Sequence, residues 1–157
     1  MTDKKDGKNY SDGYLKFKHA MSGQHKDVAA VLNCHLVAEY FLEQIIHAQI
    51  PRADVLLTEG RLTFSNKLLL VKSLDVIDDK VIASLKGLNR VRNLCSHELE
   101  YKITDANVDL IGRPYGKEYI EVKREHPNDI LKYTLMKPLA RLDGCFQRIA
   151  PAKDPGK

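Results

Sequence analysis

The chain has 157 residues, of which 43% are hydrophobic and 29% charged, and its formal net charge is +4. This length lets one domain bury a core without disulfide or metal cross-links, and the composition is that of a globular protein. Trp is absent and aromatic residues make up only 7%, which argues against an aromatic platform for stacked bases. The mild positive charge is compatible with a polyanionic partner but does not demand one.

The cysteine pattern and the hydropathy pattern predict where the protein resides. Cys34, Cys95 and Cys145 are widely spaced and odd in number, so we predict no disulfide framework and a reducing environment. The N-terminus lacks the apolar core of a signal peptide, and no apolar run approaches the roughly 18 residues of a membrane span. We therefore expect a cytoplasmic protein without a membrane partner.

The chain reads as one helical domain between two polar tails. We predict a disordered N-terminal tail over residues 1–12, a single helical domain over 13–150 and a flexible C-terminal tail over 151–157. The apolar periodicity predicts an all-α bundle of four or five helices. In chain order, the stretches predicted to be helical are 14–23, 26–50, 51–61 (a short turn), 63–75, 78–102, 104–112 and 127–149.

Capping and breaking residues mark the ends of these helices. Pro51 ends the long helix that precedes it, and Thr63 and Thr104 are candidate N-caps. The long helix from residue 78 enters through Asp78 or Asp79, whose negative charge suits a helix N-terminus. In the last helix, Pro127 suits the first turn, and Pro138 is expected to kink the helix or divide it in two. Residues 117–125 alternate only weakly and are interpreted as a loop or an irregular helix.

A polar stripe crosses the otherwise apolar helix over residues 26–50. His35, Glu39, Glu43 and His47 recur every four residues and therefore lie on one side of the helix. A metal site is disfavoured, because the Glu-x-x-His spacing of helical di-metal centres and the H-E-x-x-H zinc motif are both missing. Two interpretations stay open: the stripe is a solvated or interface-facing edge, or Glu39 or Glu43 pairs with a buried arginine.

The helix over 78–102 contains a candidate for that arginine. Its apolar stripe is formed by Val81, Leu85, Leu88, Cys95 and Leu99. The seven-residue gap in this stripe falls at Arg92, which is therefore predicted to face the core. Because an unpaired buried charge is costly, Arg92 should meet a carboxylate, a cavity or another subunit.

A cationic face lies beside the predicted core stripe. Lys86, Arg90, Asn93 and His97 are spaced at i, i+4, i+7 and i+11. On a straight helix, Arg92 and His97 point about 140° apart and do not converge on one atom. Three arrangements would bring them together: the helix loosens near His97, the Arg92 side chain swings round, or the two residues come from different subunits.

The motif Arg92-Asn93 followed by His97 resembles the R-x4–6-H signature of the HEPN superfamily. The segments HLVAEYFLEQII, LTFSNKLLLVKSLDVI and LNRVRNLCSHELE also follow the order found in bacterial HEPN proteins and in the related mannitol-operon-repressor-like group. The resemblance covers about residues 27–103. It implies a four- to five-helix HEPN-like bundle that forms a homodimer with the two motifs facing each other. Many such proteins are metal-independent endoribonucleases of toxin–antitoxin, abortive-infection or antiphage systems.

The resemblance also implies roles for individual residues. His97 would act as the general base on a ribose 2′-hydroxyl, Arg92 would bind the scissile phosphate, and Asn93 would orient either group. Lys86 and Arg90 would bind the RNA substrate. Candidates for supporting roles are Glu39, Glu43 and Tyr101. One toxin subgroup carries a regulatory Tyr two residues after the His, where this chain has Leu99.

No metal or cofactor is predicted for this chemistry. The expected partners are a second copy of the chain, RNA, and an antitoxin or regulatory protein. The alternative is a non-catalytic HEPN-like module that binds nucleotide, RNA or protein in the same groove, as the likeness to the mannitol-repressor-like group would suggest. A weaker alternative is a purely structural domain in which Arg92 pairs with Glu39 or Glu43.

Overall fold

The computed structural model describes residues 25–98 and 100–150. Within these residues the fold is all-α, as predicted, with no strand. The helices, numbered in chain order, are α1 (Lys26–Gln49), α2 (Ala53–Glu59), α3 (Phe64–Ser73), α4 (Asp79–His97), α5 (Asp105–Gly112), α6 (Lys117–Glu125) and α7 (Ile130–Ile149), with a 3₁₀ turn at Arg113–Tyr115. The predicted count of four or five is too low because several short helices are separate. Both predicted tails and the predicted helix over 14–23 lie outside the described residues.

The N-terminal caps of three helices are the residues that the sequence predicts. Thr63 Oγ1 accepts from the backbone N–H of Asn66 at 3.2 Å, while the Asn66 side chain accepts from the Thr63 N–H at 3.1 Å. Thr104 starts α5 with the same reciprocal capping box. Asp78, rather than Asp79, caps α4 by accepting from the Lys80 N–H. These bonds satisfy N–H groups that the first turn of a helix leaves without partners.

Two predicted helix boundaries are wrong. Helix α4 ends at His97 rather than at residue 102, because Glu98 adopts an extended backbone with φ −124° and ψ 118°. Helix α7 begins at Ile130, so Pro127 precedes it instead of lying in its first turn. Helix α7 also runs through Pro138 as one element, so Pro138 does not divide it in two, which was one of the two predicted outcomes.

Residues 117–125 form the regular helix α6 rather than a loop. Gly116 precedes it with φ +56°, a backbone conformation that suits glycine. Tyr119 and Val122, three residues apart, are buried on its inner side. This short helix lies against α7, and its stability comes from that tertiary packing, which a weak local pattern does not reveal.

Helix α1 lies at the centre of the fold and packs against α3, α4 and α7. It supplies fully buried side chains that include Leu42, Ile45 and Ile46. Helix α4 contacts α1 and α3 on one side and α5 on another, and it buries Leu85, Leu88 and Val91 in the same core. The position of α4 is therefore fixed by apolar packing, while its remaining face borders α3 at the protein surface.

Candidate functional site

A groove of about 540 Å³ runs between α3 and α4. Lys86, Arg90, Asn93 and His97 all line it, so the face predicted from their spacing in α4 is one continuous wall. Helix α3 supplies the opposite wall, including Lys72. The groove has the size of a small-ligand site, for which cavities of roughly 300–1,000 Å³ are usual.

The charged side chains that line the groove are basic. Lys72 Nζ lies 3.9 Å from Asp79 Oδ1, but both groups are exposed and such a pair contributes little. Lys86 and Arg90 have no ion-pair partner among the residues that the structure describes. No aspartate or glutamate is part of the lining. This distribution of charge favours an anionic ligand.

Arg92 does not occupy the core position that the sequence analysis gives it. Val91 fills that place and is fully buried, because the apolar stripe steps by three residues from Leu88 to Val91 and then by four to Cys95. Arg92 is half-buried, and its Nη1 donates to Asn93 Oδ1 at 3.2 Å. Asn93 thus contacts Arg92 directly and lines the groove together with His97.

The carboxylates of Glu39 and Glu43 bind Lys67, so the interpretation in which one of them pairs with Arg92 is wrong. Lys67 Nζ lies 2.7 Å from Glu39 Oε1 and 2.6 Å from Glu43 Oε1, and the lysine side chain is only 9% exposed. Burial by itself lowers the pKa of Lys67, but the bonds to both carboxylates outweigh it and raise the pKa overall. Lys67 shares a helical stripe with Phe64, and that apolar pattern could have predicted its burial.

His35 also leaves the predicted polar stripe and enters the core. It is buried, its ring stacks on Phe64 with centroids 4.1 Å apart, and its Nε2 lies 3.0 Å from Asn89 Oδ1. Asn89 in turn donates from Nδ2 to Ser65 Oγ at 3.2 Å, and both residues line the groove. Only His47 of the stripe is exposed. Asn89 and Ser65 were not among the predicted site residues, because their hydrogen-bond partners come from other helices.

We expect the burial of His35 to make the fold sensitive to acid. The net effect of its surroundings is to lower the pKa of His35, and burial is the largest cause. The hydrogen bond to Asn89 raises the pKa. The positive charges of Arg92 and Lys67 lower it, and the negative charge of Glu39 raises it. The unfolded chain therefore binds a proton at a pH where folded His35 does not. Stability conferred by neutral His35 is complete above the ordinary histidine pKa of about 6.5 and falls as the pH drops below it.

The measurement is urea unfolding at about pH 7 and about pH 5. His35→Gln, whose amide can still donate to Asn89, should lose less stability on acidification than the wild type. His47→Gln is the matched control, since that histidine is exposed, and it should keep the wild-type acid sensitivity. An equal loss for His35→Gln and the wild type would contradict the prediction.

Tyr101 lies away from the groove lining. Its hydroxyl donates to Asn107 Oδ1 at 3.0 Å, and the ring packs against the hydrophobic core. Asn107 also closes the capping box of α5, so Tyr101 helps to fix the start of that helix. Tyr101 is not part of the groove lining, and its supporting role in the site stays a prediction.

No group of three or more His, Cys, Asp or Glu side chains able to hold a metal occurs within residues 25–98 and 100–150. Cys34, Cys95 and Cys145 are free and buried, and burial raises the pKa of the Cys34 thiol to about 12. None of the helices that the structure describes is both long enough and apolar enough to cross a membrane.

No protein-family model matches this chain, and neither a curated protein nor a solved structure does. The fold and the site therefore define only a class: an all-α protein with a basic groove, free of lining carboxylates, between two helices. Any narrower function has to be argued from the residues of the groove.

Proposed function

We propose that this chain is a metal-independent endoribonuclease of the HEPN type. The observation that carries the proposal is that two motif side chains line the basic groove and the third is hydrogen-bonded to one of them. Asn93 and His97 line the groove, and Arg92 donates a hydrogen bond to Asn93. A general base and a guanidinium beside a basic groove are groups that can catalyse RNA transesterification.

The proposed reaction uses the RNA's own 2′-hydroxyl as the nucleophile. His97 takes the hydroxyl proton, the 2′-oxygen forms a bond to the adjacent phosphorus, and the bond from phosphorus to the 5′-oxygen breaks. The leaving 5′-oxygen takes a proton from solvent, and the other product ends in a 2′,3′-cyclic phosphate. Arg92 stabilises the charge that develops on the phosphoryl oxygens, and Lys86 and Arg90 hold flanking phosphates.

The proposal includes a homodimer. Exposed apolar side chains support it, since Leu36 is 62% exposed and Tyr40 is 55% exposed on α1. A second copy could cover such surface, and its motif could complete the site. A toxin or antiphage effector of this kind would act in the cytoplasm and would need an antitoxin or regulatory protein to restrain it.

The second candidate is a non-catalytic module that binds nucleotide, RNA or protein in the same groove. The specific observation in its favour is the apolar part of the groove lining, where Leu69 and Leu94 are exposed. Apolar lining with a few polar groups is typical of binding sites in general and does not by itself require catalysis.

Incubation of the purified full chain with RNA in EDTA tests the proposed function. We expect cleavage without added metal, products that end in 2′,3′-cyclic phosphate, and no cleavage of DNA or of 2′-O-methyl RNA, which lack the free nucleophile. Cleavage that depends on added magnesium, or cleavage of DNA, would refute the mechanism. Binding of RNA without cleavage at high protein concentration would favour the non-catalytic module.

A further inference from the structure

A hydrogen-bonded chain leads from the core to the wall of the groove. His35 is buried and stacked on Phe64, and with its proton on Nε2 it donates to Asn89 Oδ1 at 3.0 Å. Asn89 Nδ2 donates to Ser65 Oγ at 3.2 Å. Because packing holds His35 in place, the Asn89 amide keeps its oxygen towards His35 and its nitrogen towards Ser65.

Two hydrogen-bond donors on side chains that line the groove are thereby left without a partner among the described residues. The Asn89 amide has two N–H groups, and only one of them is used by Ser65. Ser65 accepts that bond, and its own hydroxyl proton has no partner within the part of the chain that the structure describes. Both side chains line the groove. Their natural complement is a carbonyl oxygen, which has two lone pairs and can accept from both donors.

The rest of the groove fits a nucleotide that presents such a carbonyl. Leu69 and Leu94 offer exposed apolar surface for the face of a planar base, as apolar side chains do around unstacked bases. Lys86 and Arg90, without ion-pair partners among the described residues, can bind the adjoining phosphates. The apolar surface therefore suits the face of a base, and the paired donors suit its edge. The basic side chains suit the phosphate backbone of the same ligand.

We propose that the groove between α3 and α4 is a base-recognition subsite for single-stranded RNA, in which Asn89 and Ser65 select uracil over adenine. Uracil carries exocyclic carbonyl oxygens, each with two lone pairs, whereas adenine offers only ring nitrogens with one lone pair each, so a single adenine acceptor leaves one of the two donors unpaired. The strand is single because a duplex already pairs the base edges that the subsite reads. The proposal deepens the proposed function and rests on it for the RNA substrate.

Binding of uncleavable RNA to the full chain tests the subsite. Fluorescence anisotropy in EDTA compares 2′-O-methyl oligouridylate with 2′-O-methyl oligoadenylate of the same length. We expect the wild type to bind the uridylate strand roughly tenfold more tightly, the preference that one well-formed base contact gives. Free uridine 5′-monophosphate, used as a competitor, should bind much more weakly than the strand, because it lacks the flanking phosphates.

Two variants and a matched control identify the groups responsible. Ser65→Ala removes one donor from an exposed position, and it should reduce the preference for uridylate while leaving the His35–Asn89 contact intact. Asn89→Asp replaces both N–H groups with an acceptor: its carboxylate can still accept from His35, the Ser65 hydroxyl would donate to it instead of accepting, and the preference should be abolished. Ser73→Ala is the control: its hydroxyl, on the same helix, donates to the Leu70 carbonyl and lies outside the lining, so the preference should persist.

Equal wild-type affinity for the two strands, or no binding to either, would overturn the subsite. An unchanged preference in both Ser65→Ala and Asn89→Asp would do the same, provided that circular dichroism shows both variants folded. Binding of the mononucleotide as tightly as the strand would overturn the assignment to RNA. Cleavage of unmodified RNA is scored separately: preference without cleavage refutes only the nuclease, and cleavage without preference refutes only the subsite.

Discussion

Replacing His97 with alanine is expected to reduce the rate of RNA cleavage by about 10²- to 10⁴-fold, the usual contribution of a general base. The variant should fold normally, because His97 is the exposed last residue of α4 and surface substitutions usually change stability by less than about 0.5 kcal/mol. Single-turnover cleavage of a labelled RNA in EDTA measures the loss, and urea unfolding confirms that the fold is unchanged.

His47→Ala is the matched control, because it removes an exposed histidine from α1, outside the groove. It should cleave RNA at the wild-type rate. Arg92→Lys adds a second comparison: it keeps the positive charge but loses the planar fork that contacts Asn93 and that we propose to contact the scissile phosphate. Its cleavage rate should therefore fall while RNA binding largely persists. A wild-type rate of RNA cleavage in His97→Ala would refute the proposed mechanism.

Features confined to one helix could be predicted from the sequence. The common face of Lys86, Arg90, Asn93 and His97 follows from helical periodicity alone, and the structure confirms that these residues line one groove. The caps at Thr63 and Asp78 are equally local. Such features depend only on the residues within a few turns of each other, so no knowledge of neighbouring helices is required.

Features that join different helices could not be predicted in the same way. The contacts of His35 with Asn89 and of Glu39 with Lys67 depend on which helices become neighbours, and one sequence does not give that information. The prediction that Arg92 faces the core is wrong for a different reason. A period of 3.6 residues allows steps of three or four, and the step of three places Val91 in the core.

Replacing Gly87 with alanine is expected to lower the free energy of unfolding by about 2 kcal/mol, although alanine normally favours a helix over glycine by about 1 kcal/mol. A Cβ at this position of α4 would collide with the backbone carbonyl oxygen of Leu110 in α5, and it would lie 2.8 Å from the Leu110 carbonyl carbon and 3.2 Å from Ile111 N. Backbone atoms cannot rotate aside as a side chain can, so the two helices would have to separate.

Gly144→Ala is the matched control for this substitution. Gly144 also lies inside a helix, α7, but the nearest atom to its added Cβ is Arg148 Nη1 at 3.7 Å, which is ordinary contact with a flexible side chain. The same chemical change should therefore stabilise the fold there by about 0.5–1 kcal/mol, because the unfolded chain loses conformational freedom. Urea unfolding compares the two variants, provided that the slope of the unfolding free energy against urea concentration is the same for both. If the two substitutions change the free energy of unfolding in the same direction, the close approach of α4 to α5 does not hold in solution. Changes in opposite directions would establish this contact, which fixes the position of α4 beside the groove.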